Sequence, residues 1–551
     1  MEVTSDNFTA LLPKIISDIQ AADFVAIDLE FTGLGSAKET QSDMLDDIQE
    51  RYRKLSQIAG HYLPVQVGVC VFKFIEAKPG CAAFYEARPY NFYVIPKLGS
   101  SSSAKMFGLD KTFGIQLGSL HFLSQNNFDM AKWATKGIPF VNHEDEERIR
   151  LKIDKVDMDV PPQEGDMLFE FMTKSIILAK DFIQNSTEKM FTIPTPSSYH
   201  KKIASQAIIR EFNGALGIKL TRQNIEVRKL SDEEREEEMA NRRGELMRAE
   251  LDELVGFRKV LDALSTAAVP VVGHNMYLDI CYTFEHFFRK LPEDAKEFKN
   301  QLHSFLPIVF DTKYIAESSS SIQKHVKSTV LEKLYETVLT DQFKYPNITF
   351  GVDFKAYVEN DSCHEAAYDA YSTGVCFLRM LSFNEGFKTT TKIDFKSEKS
   401  LQFENRLHLS YCYISFMHLD GNDDEPDYSS VYRMYNFPIN WKTADVQNVL
   451  LKDVGQTRVK WIDDTSCIIT VQDSKKLDNA TQLCLKTTRK KMDFKLEKYE
   501  PNQDKGEVDI TPPKEQVDEK LVEEALLEEP VTVKRSTSVK ENSKKKKSKT
   551  E

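Results

Sequence analysis

A strand that carries two carboxylates inside an apolar run constrains this chain more than any other feature of its sequence. The segment FVAIDLEF, residues 24–31, opens with four apolar residues and then places Asp28 and Glu30 two positions apart. Side chains alternate faces along a strand, so both acids project from one side, about 7 Å apart. Buried carboxylates that repel one another are costly unless arginine, lysine or a metal ion neutralises them. A strand end that emerges into solvent is the alternative, and further acids elsewhere decide between the two.

Two later segments supply such acids and a histidine. AAVPVVGHNMYLDICYTF, residues 267–284, predicts a strand, a Gly-His-Asn turn and a helix with Asp279 in its first turns. NDSCHEAAYDAYSTGVCFLRML, residues 360–381, predicts a loop that enters a helix carrying Asp369. His364, five residues earlier, would not share the helix face of Asp369, so we expect it in the loop or the first turn.

Together these residue types indicate a metal-dependent chemistry. Sites built from carboxylate oxygens suit Mg²⁺ or Mn²⁺ rather than zinc. Two such ions about 3.5 to 4 Å apart could activate a water and stabilise the leaving oxygen of a phosphodiester, while a neutral histidine takes the proton of the water. The residues therefore predict metal-assisted phosphodiester hydrolysis.

Length and composition bound the class of protein. At 551 residues, 41% of them hydrophobic, the chain is long enough for two to four globular domains. No apolar run reaches the roughly 18 residues of a membrane span, and the first residues lack the basic and then apolar order of a signal peptide. The eight cysteines contain no C-x-x-C pair, which argues against a zinc ribbon or a disulfide framework. We expect a protein of the nucleus and cytoplasm with reduced thiols and no membrane partner.

Charge is unevenly spread along the chain. The net charge of −12 does not by itself favour a polyanionic partner. The last segment, from Val533, carries eight Lys or Arg against two Glu, after the acidic stretch EQVDEKLVEEALLEEP. We predict a disordered tail over 501–551. Its basic end is a solvated terminus, a nuclear localisation signal or a site of nonspecific RNA contact, and the KKKK run with KR upstream favours localisation.

The order of the motifs resembles the DEDDh exonuclease superfamily. That order is D-x-E on an early strand, G-H-N-x-x-x-D in the middle and H-x-x-x-x-D late. Over about residues 1–485 the chain resembles, more specifically, the poly(A)-specific ribonuclease family. The segments that carry this resemblance are ADFVAIDLEFTGL, RYRKLSQIAGHYLPVQVGVCVFKF, NFDMAKWATKGIPFVNHEDEER, VVGHNMYLDI, FDTKYIA, CHEAAYDAYSTGVCF and WKTADVQNVL.

The resemblance implies roles for particular residues. His364 would be the general base, and RNA contacts would come from Lys313, in the D-T-K motif, and from Leu34, just past the first acidic strand. Two Mg²⁺ ions, or Mn²⁺ in their place, would be bound by a set of four acids. These acids are Asp28, Glu30, Asp279 and Asp369.

The resemblance also implies an α/β fold with three parts. A ribonuclease-H-like mixed sheet flanked by helices would occupy residues 1–160 and 231–405, interrupted by a small α/β single-strand-binding domain at 161–230. A C-terminal α/β domain that resembles the RNA-recognition motif would occupy 428–490. The breaker cluster DVPPQEG, at 159–165, agrees with the first of these boundaries.

Both smaller domains lack sequence features that the family or the RNA-recognition motif uses to contact RNA. The inserted domain is named in the family for an Arg-x-x-x-His motif, but Pro196 stands four positions before His200, so we assign that motif no contact. The C-terminal segment lacks the aromatic strand signature that stacks bases. Trp461, in VKWIDDTS, matches the family's cap-stacking tryptophan, which would bind a positively charged methylated guanine by cation-π attraction. A tryptophan that fills the domain core is the alternative.

The function implied is a Mg²⁺-dependent 3′-to-5′ exoribonuclease that shortens poly(A) tails of mRNA and releases 5′-AMP. The family forms homodimers through its nuclease domain, so we expect one here. One alternative is a 3′ trimmer of small RNA precursors such as piRNA, since relatives of this nuclease do that work. Another is a catalytically silent RNA-binding scaffold, which is disfavoured because a scaffold has no use for a repulsive cluster of acids.

Overall fold

The computed structural model divides the chain into two compact units, Met1–Pro426 and Asp427–Glu551. It describes residues 1–35, 40, 43, 45–99, 107–157, 167–212, 215–221, 224–231, 234, 243–354, 365–410, 412, 414–425, 428–454, 457–471 and 494–500. The tail predicted at 501–551 lies outside these residues.

The regular elements of the described residues are numbered here in chain order. Helices α1 to α17 span Phe8–Gln20, Ile48–His61, Leu117–Gln125, Met130–Lys136, His143–Asp157, Met167–Asn185, Ser198–Glu211, Arg243–Val255, Arg258–Ala267, Tyr277–Thr283, Ala295–Phe305, Thr312–Ser318, Ser320–Gln323, Leu331–Val338, Ala366–Glu385, Glu398–Leu401 and Thr443–Val454. Strands β1 to β16 span Glu2–Val3, Phe24–Phe31, Pro64–Ile75, Phe84–Tyr93, Met190–Pro194, Leu216–Leu220, Asn224–Lys229, Val271–Gly273, Val309–Asp311, Ile348–Phe350, Arg406–His408, Phe416–His418, Val431–Tyr435, Thr457–Asp463, Ser466–Val471 and Lys495–Lys498. A π-helical turn, Phe284–Phe288, follows α10.

A nine-stranded mixed sheet organises the first unit. Its order is β1-β4-β3-β2-β8-β9-β11-β12, and β10 also pairs with β4. Strand β2 pairs antiparallel with β3 and parallel with β8, and the pairs β8-β9 and β9-β11 are parallel as well. This arrangement confirms the mixed α/β sheet with flanking helices that the sequence predicts, and it places the acidic strand β2 in the middle of the sheet.

The two faces of β2 pack against different helices. Its odd-numbered residues in the range 25–29 join an apolar cluster with α1, α9, α10 and α11. Phe24 and Ala26 point to the other face and join a cluster with α15. Because side chains alternate, Asp28 and Glu30 also project toward the α15 side.

A glycine lets α15 begin directly over β3. Gly68 lies opposite Asp28 in the register of β2 and β3. A methyl group added to Gly68 would overlap the backbone carbonyl of Ala366, the first residue of α15. The missing side chain therefore allows the first turn of α15, which carries Asp369, to approach β2.

Strand β4 is longer than the sequence pattern predicts. The apolar segment NFYVIP predicts a strand over 91–96, whereas β4 spans Phe84–Tyr93, so it begins earlier, ends three residues sooner and includes Pro89. One edge of β4 pairs with β10 around residue 86 and with β1 around residue 91. Pro89 falls between these two short partners, where no backbone donor is needed. The polar residues and this proline hide the first half of the strand from a pattern search.

An inserted unit, residues 167–229, lies in the sequence between two helices of the first unit, α5 and α8, that pack together. Ile149 of α5 shares an apolar cluster with Leu251 of α8. Arg150 of α5 forms an ion pair with Asp252, also of α8, at 2.5 Å. Between these helices in the sequence come α6, α7 and the antiparallel sheet β5-β7-β6, which have an apolar cluster of their own.

The second unit contains an antiparallel sheet of order β14-β15-β13-β16. Helix α17 contributes Val446 to an apolar cluster with Tyr432 and Met434 of β13. The pattern of RVKWIDDTSCIITV, residues 458–471, predicts one strand, which is wrong. The segment forms the antiparallel pair β14 and β15, and the Asp463 side chain accepts a hydrogen bond from the N–H of Thr465 in the turn, at 2.7 Å.

Two expectations about chemical environment can be compared with the described residues. Six of the cysteines fall within the described ranges, where they form no disulfide, and all of these except Cys81 are buried. In the same ranges, no helix combines the length and the apolar character needed to cross a bilayer.

A buried histidine gives the first unit a pH-dependent stability. Nε2 of His286 lies 2.9 Å from the carbonyl oxygens of Ala59 and Tyr62, to which a neutral ring donates. Burial, with a smaller effect of the Lys111 ammonium, lowers the pKa of His286 to about 4. The unfolded chain takes up this proton near pH 6.5 and the folded chain only near pH 4. Stability is therefore lost as the pH falls through that interval.

We expect the difference in unfolding free energy between wild type and His286→Phe to shrink by about 2 kcal/mol when the pH is lowered from 7 to 5. Denaturant titrations of both proteins at the two pH values measure it. His121→Phe, on the exposed side of α3, serves as the control for replacing a histidine by phenylalanine at the surface. A constant difference for His286→Phe would contradict the prediction.

Candidate metal centre

Three carboxylates converge where β2 meets the start of α15. Asp28 and Glu30 come from the face of β2 that α15 covers, and Asp369 comes from the first turn of α15. One oxygen from each of the three lies within 4.8 Å of the others. All three side chains are half-buried. Strand alternation and the close approach at Gly68 together bring these predicted acids to one place.

The cluster holds more negative charge than its surroundings stabilise. Burial raises the pKa of Asp28 well above its ordinary value, and repulsion from Asp369, Asp279 and Glu30 raises it further. Burial and the charges of Asp369 and Asp279 do the same to the pKa of Glu30. A cation placed among these oxygens would remove the repulsion.

Asp279, the fourth predicted acid, lies beside this cluster. It occupies the first turn of α10, and its Oδ1 accepts a hydrogen bond of 3.2 Å from the N–H of Leu29, between the two acids of β2. Burial raises the pKa of Asp279 to about 7, with a contribution from the charge of Asp311. The structure thus places all four acids together, with three of them at ligand spacing.

Asp311 is an acid of this region that the sequence patterns did not single out. It ends β9, is fully buried, and accepts hydrogen bonds of 2.9 Å from the N–H groups of Asn275 and Lys313. A signal was present in FDTKYIA, where an aspartate follows an apolar strand and precedes a helix, the usual place of a capping residue.

Lys313 supplies positive charge beside two histidines, His274 and His408. It stands in the first turn of α12, half-buried, near His274 and His408. Burial lowers the pKa of His274 to about 3, and the Lys313 ammonium adds to this shift. Burial also lowers the pKa of His408, against the opposing charges of Asp311 and Glu317. Lys313 acts in the same direction as burial. Both imidazoles are therefore neutral at pH 7, and the charge of this group belongs to the lysine.

Leu34 lies at an exposed apolar edge next to the acidic strand. Its side chain is 41% exposed, and its N–H donates to Oε1 of Gln116 at 3.0 Å. The neighbours of that glutamine, Ile115 and Leu117, are also exposed. A base of a bound RNA could pack on such a surface.

Of the two histidines that the sequence analysis weighs individually, the structure describes His200. His364 falls within 355–364, which the structure does not describe, so its role as a general base stays a prediction. His200 belongs to α7 of the inserted unit, where its Nδ1 lies 2.9 Å from Oγ of Ser197.

Trp461 is divided between the core and the surface of the second unit. The ring is half-buried and meets Phe437 edge-on, with centroids 5.4 Å apart. Its Nε1–H donates to Oγ1 of Thr443 at 3.0 Å. The hydrogen bond and the edge contact hold the indole in one orientation, so it combines features of both sequence interpretations.

The donor set at the acidic cluster fits a hard divalent cation. Its ligand atoms are carboxylate oxygens, and such sets favour Mg²⁺ or Mn²⁺ over zinc. The raised pKa values of Asp28 and Glu30 likewise show that their ionised forms lack a positive partner. Chemically, the arrangement could bind ions that act on a phosphate ester.

Two family models match the sequence. A model described as CAF1 family ribonuclease matches residues 3–377, and a model described as RNA binding domain matches residues 421–505. The first match includes all four acids, and the second includes Trp461.

Curated relatives match over most of the chain. The chain is 30% identical to the poly(A)-specific ribonuclease PARN of Xenopus laevis, over 91% of this chain and 80% of the relative. It is 27% identical to PARN of Homo sapiens over the same shares of the two chains. It is also 29% identical to the poly(A)-specific ribonuclease PNLDC1 of Mus musculus, over 69% of this chain and 71% of the relative.

Proposed function

Because the chain belongs to the CAF1 family of ribonucleases, we propose that its acidic cluster degrades RNA from the 3′ end, shortens poly(A) tails of mRNA and releases 5′-AMP. The observation that carries this proposal is the convergence of Asp28, Glu30 and Asp369 within 4.8 Å. Mutually repelling carboxylates of this kind suit divalent ions at a phosphodiester. The preference for poly(A) rests on relatives that are named poly(A)-specific.

The proposed cofactor is Mg²⁺, with Mn²⁺ able to replace it. Asp28, Glu30 and Asp369 would hold the ions, and Asp279 would join them from beside the cluster. When bound, two such ions would polarise the phosphodiester and lower the pKa of the attacking water.

The side chains of this protein would complete the reaction. His364 would take the proton of the attacking water as general base. The Lys313 ammonium would bind an RNA phosphate. The lowered pKa values of His274 and His408 keep these neighbours neutral, so they do not repel the ammonium. Leu34 would pack against a base at the exposed edge.

Three features of the architecture belong to the same proposal. The first unit would be a ribonuclease-H-like nuclease with a single-strand-binding insertion over 161–230. The second unit would be an RNA-recognition-motif-like domain, supported by its element order β13-α17-β14-β15 and by sheet order β14-β15-β13-β16. Homodimerisation through the nuclease, and residence in nucleus and cytoplasm, follow from the family resemblance and the basic terminal segment.

We also propose that Trp461 stacks on the methylated guanine of an mRNA cap. Trp461→Leu should weaken binding of a methylated cap analogue about 30-fold, which corresponds to about 2 kcal/mol of cation-π attraction. Fluorescence titration of the full chain with methylated and unmethylated guanosine triphosphate measures the loss.

Trp441→Leu is the matched control for the cap prediction. Trp441 stacks on Phe437, the ring that Trp461 also contacts, with centroids 5.5 Å apart. Its loss therefore disturbs the same apolar cluster. Equal loss of cap binding in both variants would mean that Trp461 acts as a core residue.

The function is tested by a gel time course with purified protein and Mg²⁺. Three 5′-labelled RNAs are compared: one that ends in a run of adenosines, one that ends in mixed sequence, and a small-RNA precursor. Stepwise shortening that stops where the adenosines end is the expected result. Trimming of the precursor to a defined length would favour the trimming alternative, and absence of cleavage in all three would favour the scaffold.

A further inference from the structure

One buried carboxylate joins three segments of the candidate site. Asp311 has no exposed surface. Its Oδ1 accepts hydrogen bonds of 2.9 Å from the N–H groups of Asn275 and Lys313. Its Oδ2 accepts from the N–H groups of Met276, at 3.3 Å, and His408, at 3.2 Å. These donors compensate the burial of the charge and tie the turn before α10, the start of α12 and the end of β11 to one group.

The tied segments carry the functional groups of the proposed site. The turn of Asn275 and Met276 leads directly into α10, whose first turn holds Asp279. Lys313 itself belongs to the first turn of α12. Asn275 has a φ of 55°, in the left-handed region, so the turn keeps its shape because its surroundings hold it.

The same turn is braced by Thr312, the neighbour of Asp311. Oγ1 of Thr312 donates to the carbonyl oxygen of Gly273 at 3.1 Å and lies 2.9 Å from Nδ1 of His274. Residues 311 and 312 therefore fix the turn before α10 through separate hydrogen bonds.

We propose that Asp311 is a positioning residue that sets the distance between Asp279 at the metal centre and Lys313 at the RNA phosphate. It does so by fixing the backbones that carry them, without touching ion or substrate. The inference rests on the proposed function, and it predicts that loss of Asp311 weakens ion binding and RNA binding together.

Helix capping alone would not have this effect. Asp294 caps α11 by accepting a 2.9 Å hydrogen bond from the N–H of Glu297. Helix α11 carries none of the proposed site residues, so Asp294→Ala removes a cap of the same chemistry and leaves the site alone. It is the matched control for a purely structural loss.

The test uses the full chain as wild type, Asp311→Asn, Thr312→Val and Asp294→Ala. Mn²⁺ binding is measured by electron paramagnetic resonance without RNA, and kcat and KM are measured on an oligoadenylate. For Asp311→Asn we expect Mn²⁺ affinity and kcat to fall 10- to 100-fold, the range seen when partners of metal ligands are removed. KM for RNA should rise as well, because Lys313 loses its anchor. Thr312→Val should shift ion affinity and kcat in the same direction by a smaller factor.

The outcomes separate the inference from the proposed function. A folded Asp311→Asn protein with wild-type Mn²⁺ affinity, or an Asp294→Ala protein with the same losses, would overturn the positioning role. If Asp311→Asn fails to fold, Thr312→Val decides, and unchanged ion affinity and kcat there overturn it. A wild-type protein that binds Mn²⁺ but cleaves no RNA refutes the proposed function, while the resonance measurement still decides the role of Asp311 in ion binding.

Discussion

Asp28→Asn should abolish RNA hydrolysis and, in the absence of divalent ions, make the folded protein more stable. Catalysis should fall by roughly 10³-fold or more, because the variant loses one of the proposed ligands of the ions. Stability should rise because the variant has one charge fewer in a repulsive cluster. At 4.8 Å, two such charges repel by roughly 3 kcal/mol at an effective dielectric constant of about 20. We expect a net gain of about 1 to 3 kcal/mol, measured by denaturant unfolding in a chelator.

The stability gain distinguishes a metal-binding acid from a structural one. Glu336→Gln is the control, because Glu336 is an exposed acid that pairs with Lys333 at 3.2 Å on the surface of α14. That variant should retain activity and change stability little. An Asp28→Asn protein that is less stable than wild type without metal would show that the charge of Asp28 supports the fold, against our interpretation.

Gly68→Ala should reduce activity by roughly 100-fold and destabilise the fold by about 3 kcal/mol. The new methyl group would overlap the backbone carbonyl of Ala366, which cannot rotate away as a side chain could. The first turn of α15 must then move, and Asp369 moves with it, away from the two acids of β2. Activity assays, Mn²⁺ binding and thermal unfolding of the purified variant measure the three consequences.

Gly60→Ala supplies the matched control for that substitution. Gly60 lies in the last turn of α2, and a methyl group there would meet nothing within 4 Å. Alanine favours the helix, so this variant should be as active as wild type and up to about 1 kcal/mol more stable. Normal activity in Gly68→Ala would mean that α15 adjusts without displacing Asp369.

The parts of this site that the sequence predicts are those set by short-range periodicity. The two acids of β2 share a face because strands alternate with period two, and the structure places them so. Asp369 falls in the first turn of α15, as the transition from loop to helical pattern indicates. That all four acids lie together is predicted from the order of the motifs, through the resemblance to the family.

The remaining features depend on contacts between residues far apart in the chain. Nothing in VQVGVCV shows that Gly68 meets Ala366, since that contact exists only after β3 and α15 have packed. The hydrogen bond from Leu29 to Asp279 and the several donors on Asp311 likewise join separate segments. The length of β4 cannot be read from its own sequence for the same reason. Its proline argues against a strand locally, and it is tolerated because the short partners β1 and β10 pair on either side of it.

The packing of α5 on α8 bears on how such a protein can change over evolutionary time. Arg150 and Asp252 hold the exit and the return of the inserted unit side by side. A segment gained, exchanged or shortened between those helices would leave the pairing of the nine strands untouched. Recombination at this one junction could thus replace the surface of the inserted unit while the acidic cluster of the large sheet stays the same.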